Sequence, residues 1–367
     1  MKKIILSKPL INVADTSNIV RKVLIENFPN EGKQTREFEK KICSFLKTKY
    51  AITTTSGTTA IFLALKANGI KNNDEVIIPN ITFPATANAV AMAGGKPVLV
   101  DIDSKNILID EKSLLKKITK KTKFVIPVHV SGRGNNIKSI INICKKKSIK
   151  VIEDAAEAFG SKYQKKFLGT FGKSGCFSFA PNKIITTGQG GVVVTNDKKI
   201  YLNLLRLKDQ GRVGPTTGGE DNYISKGYNF KFSNLQSSLG LSQLKNIKWR
   251  IDKLIKIHKF YKKNINQSNK FKIIDFNLQK GEVPLWTDVY CMRRNKLFNF
   301  LKSRNVLCRY YWNPINTCLP YRSSFKSLSN SKKIQKKMMW LPSSLDMNTK
   351  EQKKVCNLIN LFLKYKD

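Results

Sequence analysis

The sequence predicts an α/β protein, a large α/β/α domain with a mostly parallel sheet followed by a smaller C-terminal α+β domain. Short β-branched runs alternate with helical patterns over the first two thirds of the chain, as expected of βαβ units. After about residue 233 the pattern changes to longer helices and short strands. The chain has 367 residues, which suits two domains of ~100 to 200 residues each. We predict the large domain at 1–245 and the small domain at 246–367.

Four apolar runs are predicted to form buried parallel strands, because strands covered on both faces are apolar throughout. They lie at 75–79, 97–101, 123–128 and 149–153. Helices are predicted between them at 85–93, 111–118 and 136–147, where Pro84 or Asp110 marks a start or apolar side chains recur on one face.

Helices are also predicted in the later part of the chain. A capped helix begins at Ser233, a long connecting helix follows near 248–266, and amphipathic helices lie near 292–303 and 349–364. Short strands are expected from about residue 270. The segment from Asp209 to Lys226 contains four glycines and Pro215, which predicts a mobile loop over a site.

The unusual feature of the composition is its charge. The chain has 67 Lys and Arg against 25 Asp and Glu, a formal net charge of +42. Such a field attracts anions, including nucleic acid, acidic membranes and phosphorylated substrates. However, only 11 of the basic residues are Arg, whereas nucleic-acid readers depend on the bidentate Arg fork. We therefore favour compositional bias, and a basic nucleic-acid-binding protein is the alternative hypothesis.

Cysteine and histidine are too few and too scattered for a metal cluster. The seven cysteines include no C-x-x-C pair, and the two histidines are His129 and His258. We expect reduced thiols, no metal and a cytoplasmic protein without a signal peptide or membrane span. His129 follows an apolar run and is predicted to lie in the core, whereas His258 is in a Lys-rich helix and is predicted to lie on the surface. A hydrolase triad has little support.

A turn rich in hydroxyl groups is a candidate phosphate site. The sequence Thr-Thr-Thr-Ser-Gly-Thr-Thr-Ala at 53–60 joins a strand end to a helix start. Free backbone N–H groups, short hydroxyls and the helix dipole converge at such a place. An ordinary N-cap with a tight turn is the alternative. The turn is not a Walker loop, because no Gly-Lys-Ser/Thr follows.

Two further segments carry reactive groups. The run at 151–157 ends a buried strand in Asp154, and ligands of open α/β sheets bind beyond such strand ends. That carboxylate could pair with a cationic ring nitrogen or a metal, or simply cap a helix. Lys183 stands among apolar, Gly and hydroxyl residues at 175–191. A partly desolvated amine can form a Schiff base with an aldehyde, and a lysine in a surface loop is the alternative.

A phosphate cradle, a strand-end Asp and a sequestered Lys, in that order, are what pyridoxal 5'-phosphate needs. At these positions the chain resembles the DegT/DnrJ/StrS family of nucleotide-sugar aminotransferases, which have the fold type I (aspartate aminotransferase-like) architecture of pyridoxal-phosphate enzymes. The resemblance extends over nearly the whole chain. It rests on Ser-Gly-Thr-Thr-Ala at 56–60, Pro-Asn-Ile-Thr-Phe-Pro at 79–84, Pro-Val-His-Val-Ser-Gly at 127–132, Glu-Asp-Ala-Ala-Glu at 153–157, Phe-Ser-Phe at 177–179 with Lys183, Gly-Gln-Gly-Gly at 188–191, Gly-Tyr-Asn-Phe-Lys-Phe-Ser at 227–233 and Leu-Pro-Ser-Ser at 341–344.

The resemblance implies a role for each matching residue. Lys183 would hold the cofactor covalently and later move a proton, and Asp154 would keep the pyridine nitrogen protonated. Phe83 would stack on the ring face, with a core phenylalanine as the alternative, and Glu157 would lie near the ring hydroxyl. The phosphate contacts would come from Gly57, whose backbone approaches closely, and from Thr58, Thr59 and Ser178.

The resemblance also implies the assembly and the reaction. Asn229 would reach the phosphate of the neighbouring subunit, so a homodimer with shared active sites is expected. The segment around Lys183 is most similar to perosamine-synthase-type enzymes, which aminate a 4-keto-6-deoxy sugar nucleotide for polysaccharide biosynthesis. The amino group would come from glutamate. A non-catalytic, cofactor-binding regulator is a further alternative.

Two positions depart from the family pattern. Lys231 stands where relatives usually have Arg, and Asn316 stands where they have a His. Both positions lie toward the substrate in relatives. The departures therefore leave the cofactor chemistry intact and put the identity of the substrate in question.

Overall fold

The computed structural model describes residues 3–134, 136–214 and 222–364. Its centre is a seven-stranded sheet whose strands are almost all buried. Its strands, in chain order, are β1 (Tyr50–Thr54), β2 (Glu75–Pro79), β3 (Lys96–Val100), β4 (Thr122–Val125), β5 (Lys150–Asp154), β6 (Ser174–Ser178) and β7 (Gly191–Thr195).

The order across the sheet is β1-β7-β6-β5-β4-β2-β3. Strands β6, β5, β4, β2 and β3 run parallel, and β7 is antiparallel to both of its neighbours. The carboxyl ends of β1, β2, β5 and β6 therefore share one edge of the sheet. The predicted mostly parallel sheet is confirmed.

The described part of the chain contains twelve α-helices. They are α1 (Val13–Ile25), α2 (Lys33–Leu46), α3 (Gly57–Ala67), α4 (Ala85–Met92), α5 (Glu111–Lys117), α6 (Ile137–Lys146), α7 (Lys198–Lys208), α8 (Asn234–Leu244), α9 (Ile247–Asn264), α10 (Arg294–Lys302), α11 (Ser329–Ile334) and α12 (Thr349–Lys364).

The predicted strands and helices are confirmed with small shifts at their ends. The third predicted strand was placed at 123–128, whereas β4 ends at Val125. Pro127 has no N–H to donate and interrupts the ladder there, and pairing with β5 resumes as a bridge between Val128 and Asp154. Sequence analysis did not identify β7, although every residue of Gly191–Thr195 is buried.

The second, antiparallel sheet belongs to the C-terminal part. Its strands are β8 (Phe271–Ile273), β9 (Thr287–Cys291), β10 (Arg309–Tyr310) and β11 (Met338–Leu341), in the order β8-β9-β11-β10. Helices α9, α10 and α12 contribute to its core, and so does Ile4, which forms a bridge with Val306. The proposed domain boundary after residue 245 stays a prediction.

The two histidines are both buried. His129 is in the core, as predicted, with Nε2 2.8 Å from Glu153 Oε2 and Nδ1 3.2 Å from the Arg133 carbonyl. The prediction that His258 lies on the surface is wrong, because the ring is 3% exposed and contacts Phe276 edge-on. It lies on the face of α9 that also carries Leu254 and Tyr261, one helical turn away on either side.

The Gly-rich segment at 209–226 is described in part. Residues 215–221 of the predicted mobile loop lie outside the described residues. On either side of them, Arg212–Val213 pairs with Asn222–Tyr223 as a short antiparallel ladder. In the described ranges, no helix has both the length and the apolar character needed to cross a membrane.

Candidate active site

A cavity of about 300 Å³ lies at the carboxyl edge of the parallel sheet, where the C-terminal sheet faces it. This volume is at the lower end of the ~300 to 1,000 Å³ range of small-molecule sites. Its lining includes most of the predicted site residues. They are Gly57, Thr58, Phe83, Asp154, Glu157, Ser178 and Lys183.

The turn before α3 forms one wall of the cavity. Ser56 and Thr59 form a capping box, in which Thr59 N donates to Ser56 Oγ (3.1 Å) and Ser56 N donates to Thr59 Oγ1 (2.9 Å). The Thr59 hydroxyl therefore holds the turn together, behind the cavity surface. Gly57 and Thr58 face the cavity beside Ser178.

Gly57 is required by a close approach. A Cβ on residue 57 would lie 2.9 Å from the Ser178 Cβ and 3.2 Å from its Oγ, closer than side chains tolerate. Two backbone segments, the start of α3 and the end of β6, thus meet where Thr58 and Ser178 line the cavity. This cradle is a suitable seat for a phosphate.

Asp154 ends β5 and is buried. Its Oδ2 accepts a hydrogen bond from Thr86 Oγ1 (2.7 Å) and its Oδ1 accepts one from Ala156 N (3.2 Å). Burial raises the pKa of Asp154, and these two hydrogen bonds and the charge of Lys183 only partly oppose that shift. The carboxylate is therefore well placed to gain from a cationic partner in the cavity.

Lys183 and Glu157 meet inside the same cavity. The Lys183 Nζ lies 3.2 Å from Glu157 Oε1, and the lysine side chain is 13% exposed. Lys183 N donates to the Ala180 carbonyl, which closes the turn that projects the side chain inward. The predicted tether is thus a sequestered lysine, and the alternative of a surface-loop lysine is wrong.

Phe83 follows β2 and lines the cavity. Its ring is 52% exposed, so the alternative of a core phenylalanine is wrong. The ring centroid lies 6.3 Å from that of Trp312. An exposed aromatic face beside Lys183 and Asp154 provides a stacking surface for a planar ligand.

Sequence analysis missed most of the wall that comes from the C-terminal sheet. Trp286, Trp312, Trp340 and Arg309 all line the cavity. Arg309 and Trp312 come from one segment, Trp286 and Trp340 from two others, and none of them is in the motifs that carry the family resemblance, so only the fold brings the three segments together. Three of the four tryptophans of the chain lie here, which is a signal that the sequence did contain.

The remaining predicted positions lie outside the cavity lining. Asn229 is exposed and forms a backbone bridge with Asp209, and Lys231 Nζ lies 3.0 Å from Asp209 Oδ1. Asn316 is buried and exchanges hydrogen bonds with Asn80. In the described chain, both departures from the family pattern thus have partners of their own.

Residues 11–360 match the sequence profile of the DegT/DnrJ/EryC1/StrS aminotransferase family. The chain belongs to this family. It is 34% identical over 339 residues to GDP-perosamine synthase of Escherichia coli O157:H7, with 91% of each chain covered. It is also 32% identical over 352 residues to a UDP-4-amino-4,6-dideoxy-N-acetyl-β-L-altrosamine transaminase of Campylobacter jejuni, covering 92% of this chain and 93% of that one.

Solved structures of the DegT/DnrJ/EryC1/StrS aminotransferases have the same fold. The aminotransferase PseC of Helicobacter pylori, from pseudaminic acid biosynthesis, superposes with a TM-score of 0.91 at 28% identity and 98% coverage of both chains. The predicted fold, the aminotransferase class and the pyridoxal-phosphate cofactor of this family are therefore confirmed. The roles of individual site residues stay predictions.

The described residues fit that cofactor. The cradle that a Cβ on Gly57 would fill suits the phosphate, and the buried Asp154 carboxylate suits a protonated ring nitrogen. Lys183 provides the amine, and Phe83 provides an aromatic face. These groups surround one cavity, which is the arrangement that the cofactor requires.

Proposed function

We propose that this chain transfers an amino group from glutamate to a keto sugar nucleotide, a 4-keto-6-deoxy sugar carried on a nucleoside diphosphate. The observation that carries the proposal is the meeting of Lys183, Asp154 and Glu157 in one cavity beside the Gly57 cradle. The named relatives, which make perosamine and other amino sugars, support the substrate class.

The phosphate of the cofactor would bind between α3 and β6. Gly57 admits its oxygen atoms to backbone N–H groups, and the hydroxyls of Thr58 and Ser178 add donors. When bound, pyridoxal phosphate supplies an aldehyde that joins covalently to amines and a ring that withdraws electrons from the reacting carbon. Asp154 would hold the proton on the ring nitrogen, which that electron withdrawal requires.

Lys183 would act twice. Its Nζ would first tether the cofactor, and once released it would carry a proton between the substrate carbon and the cofactor. Glu157, 3.2 Å from this nitrogen, orients it toward the cavity. Phe83 and the tryptophan wall keep water away from the reacting atoms.

The position of Arg309 supports the proposal that the substrate carries a diphosphate. Among the lining residues it and Lys183 carry the positive charges, and Arg309 comes from the exposed strand β10 with its guanidinium 5.8 Å from the Trp340 ring. A guanidinium at this position can bind phosphate oxygens bidentately. The flat ring of Trp312 lines the same cavity and could contact the rest of the substrate.

The assembly is proposed to be a homodimer with shared active sites, in the cytoplasm. Apolar side chains are exposed on α1 and near residue 223, including Leu24, Ile25, Tyr223 and Ile224, as expected of a surface that a second subunit covers. Asn229 lies exposed close to this region in the sequence, which suits a residue that reaches into a neighbouring site. All seven cysteines are free.

The proposal is tested with purified protein incubated with pyridoxal phosphate. We expect a visible absorption band that glutamate bleaches in a half-reaction. Borohydride should abolish the band and leave the cofactor covalently fixed to Lys183. Lys183→Ala should show neither the band nor the fixed cofactor, whereas the replacement Lys248→Ala of an exposed lysine on α9 should keep both. A protein that takes up no cofactor contradicts the proposal.

Further measurements on the same purified protein distinguish the aminotransferase from the two alternative functions. A non-catalytic regulator would show the band without bleaching by glutamate or a keto sugar nucleotide. A nucleic-acid-binding protein would bind DNA or RNA with a steep dependence on salt, because phosphate binding releases counterions. For the aminotransferase we expect amination of a GDP-, UDP- or dTDP-linked 4-keto sugar, detected by mass spectrometry.

A further inference from the structure

Glu157, three residues beyond the end of β5, accepts hydrogen bonds from three other segments of the chain. Its Oε2 accepts a hydrogen bond from Ser131 N (2.9 Å), and its Oε1 accepts from Lys183 Nζ (3.2 Å) and from Trp286 Nε1 (3.4 Å). Each carboxylate oxygen therefore has at least one nitrogen donor. The direction in which Glu157 presents its charge to Lys183 depends on where Ser131 and Trp286 lie.

Ser131 is in an unusual conformation. Its φ is 53° and its ψ is 13°, in the left-handed region that serine rarely adopts. This conformation directs the Ser131 N–H at Glu157, and it persists only where the surroundings hold it. The Ser131 side chain shows what holds it.

Ser131 is fixed by a buried carboxylate of the C-terminal sheet. Its Oγ donates to Asp288 Oδ1 (2.9 Å) and accepts from Trp340 Nε1 (3.3 Å). Asp288 and Trp340 lie opposite each other on β9 and β11. One pair of strands thus holds the serine hydroxyl from two sides.

Asp288 is itself paired with a buried cation. Its Oδ2 accepts a hydrogen bond from Arg133, whose side chain is 1% exposed, and Asp288 is fully buried. The Arg133 guanidinium also donates to the carbonyls of Asp275 and Ile274 and stacks on Phe276. Burial raises the pKa of Asp288, and the charge and hydrogen bonds of Arg133 and Ser131 only partly oppose that shift. The same contacts hold the Asp288 side chain in one position.

We propose that Asp288 is a positioning residue of the active site, which acts through Ser131 to hold Glu157 against Lys183. The inference rests on the proposed function, because it takes Lys183 as the amine that tethers the cofactor. It adds that contacts from the C-terminal sheet fix the position of the Glu157 carboxylate, which Lys183 faces. Asp288 itself is separated from the cavity by Ser131 and Glu157.

Several other charged groups face or approach Lys183. Asp154 from β5 and Arg309 from β10 line the same cavity, and Lys8 and Arg250 line a smaller pocket on its other side. Lys8 is paired with Asp346, and Arg250 binds the carbonyls of Ile184 and Leu10. Of these groups Glu157 makes the direct hydrogen bond, so loosening it changes the environment of Lys183 most.

The test uses Ser131→Gly, because glycine adopts the left-handed conformation freely and leaves the Arg133–Asp288 pair in place. The hydroxyl link to Asp288 is lost, and Glu157 is expected to withdraw from Lys183. Ser148→Gly is the matched control, since Ser148 has a φ of 56° at an exposed position.

Two measurements are made on these variants. In protein without cofactor, the rate of reductive methylation of Lys183, followed by peptide mass spectrometry, should rise about threefold in Ser131→Gly. In protein with pyridoxal phosphate, the pH midpoint of the visible band should fall by about half a unit, which is the same threefold factor. Ser148→Gly should change neither value.

A double-mutant cycle distinguishes positioning from a general structural effect. In a Glu157→Gln background, Ser131→Gly should cause no further change in either measurement, because the carboxylate is already gone. Asp288→Asn should reproduce the Ser131→Gly shifts if the protein folds.

Unchanged methylation and an unchanged midpoint in Ser131→Gly, or equal shifts with and without the Glu157 carboxylate, would overturn the inference. Failure to take up cofactor would instead contradict the proposed function, while the methylation rate still decides the role of Asp288.

Discussion

Gly57 lies against Ser178 so closely that any side chain at position 57 would collide with it, since a Cβ there would be 2.9 Å from the Ser178 Cβ. The two residues come from the start of α3 and the end of β6. Their contact forms the cradle that we assign to the cofactor phosphate.

Gly57→Ala should weaken cofactor binding about tenfold and lower the free energy of unfolding by about 1 kcal/mol, because the new Cβ would lie 2.9 Å from the buried Ser178 Cβ. Alanine favours a helix by up to about 1 kcal/mol over glycine, so the gain at the start of α3 offsets only part of this clash. The loss of affinity would come from displacement of Ser178, which opens the cradle. Titration of the visible band measures the affinity, and Gly57→Ala combined with Ser178→Gly should recover part of it. An unchanged cofactor affinity in Gly57→Ala would show that the phosphate does not bind in this cradle.

Asp154→Asn should have opposite effects on stability and on cofactor binding. Burial raises the pKa of Asp154, so ionisation of this carboxyl lowers the stability of the cofactor-free protein as the pH rises through and beyond its usual value of 3.8. The asparagine variant without cofactor should therefore unfold at a Tm equal to or above that of the wild type at pH 7. Its cofactor dissociation constant should rise about thirtyfold or more, as for the loss of a buried charge pair. A lower Tm with unchanged affinity would assign Asp154 a structural role.

Phe83→Ala should affect binding far more than stability. The ring is about half exposed, so the free energy of unfolding should change by less than about 1 kcal/mol. Loss of the stacking face should raise the cofactor dissociation constant about threefold to tenfold. Chemical denaturation and absorbance titration measure the two effects. A large loss of stability with normal binding would contradict the stacking role.

Arg309→Gln should weaken the binding of the sugar nucleotide without affecting the binding of the cofactor. Losing a charged hydrogen bond to the diphosphate should raise the Kd for the substrate about tenfold, with no change in the visible band of the bound cofactor. Arg304→Gln is the matched control, because Arg304 is exposed and also stacks on an aromatic ring, that of Phe300. Calorimetry with nucleoside diphosphate sugars measures the affinity. Equal effects of both substitutions would show that Arg309 contributes only general charge.

His258 should make the protein sensitive to acid. Burial, with smaller contributions from Arg133 and Lys262, lowers the pKa of His258 from 6.5 to about 3. Since the folded state resists protonation, the stability present above pH 6.5 is lost as the pH falls toward 3. At pH 5 this loss amounts to about 2 kcal/mol.

The measurement compares wild type with His258→Gln, which does not titrate. The difference in free energy of unfolding between the two proteins, from urea denaturation, should shift by about 2 kcal/mol in favour of the variant between pH 7 and pH 5. A difference that is independent of pH would mean that His258 is accessible to protons in the folded protein.

Motifs that are continuous in the sequence could be predicted, and so could their place in the sheet. The Ser-Gly-Thr-Thr turn, Asp154 at a strand end and Lys183 among apolar residues lie where strand ends meet. Strand β7 was missed, although it is an apolar run like the others. His258 was misplaced because the lysines around it suggested a surface, while the spacing to Leu254 and Tyr261 indicated the buried face.

By itself, the sequence determined the family, the parallel sheet and the cofactor, because these depend on local patterns: a period of apolar residues, a capped turn, a residue at a strand end. Only the tertiary structure decided which residues of the C-terminal part face these motifs across the cavity. Trp286, Arg309 and Trp340 reach the cavity from the C-terminal part of the chain, and Asp288 lies behind it against Ser131. The contacts of Trp286 with Glu157 and of Asp288 and Trp340 with Ser131 join positions more than 100 residues apart. Such contacts follow from the packing of two sheets and leave no periodic signal in either segment.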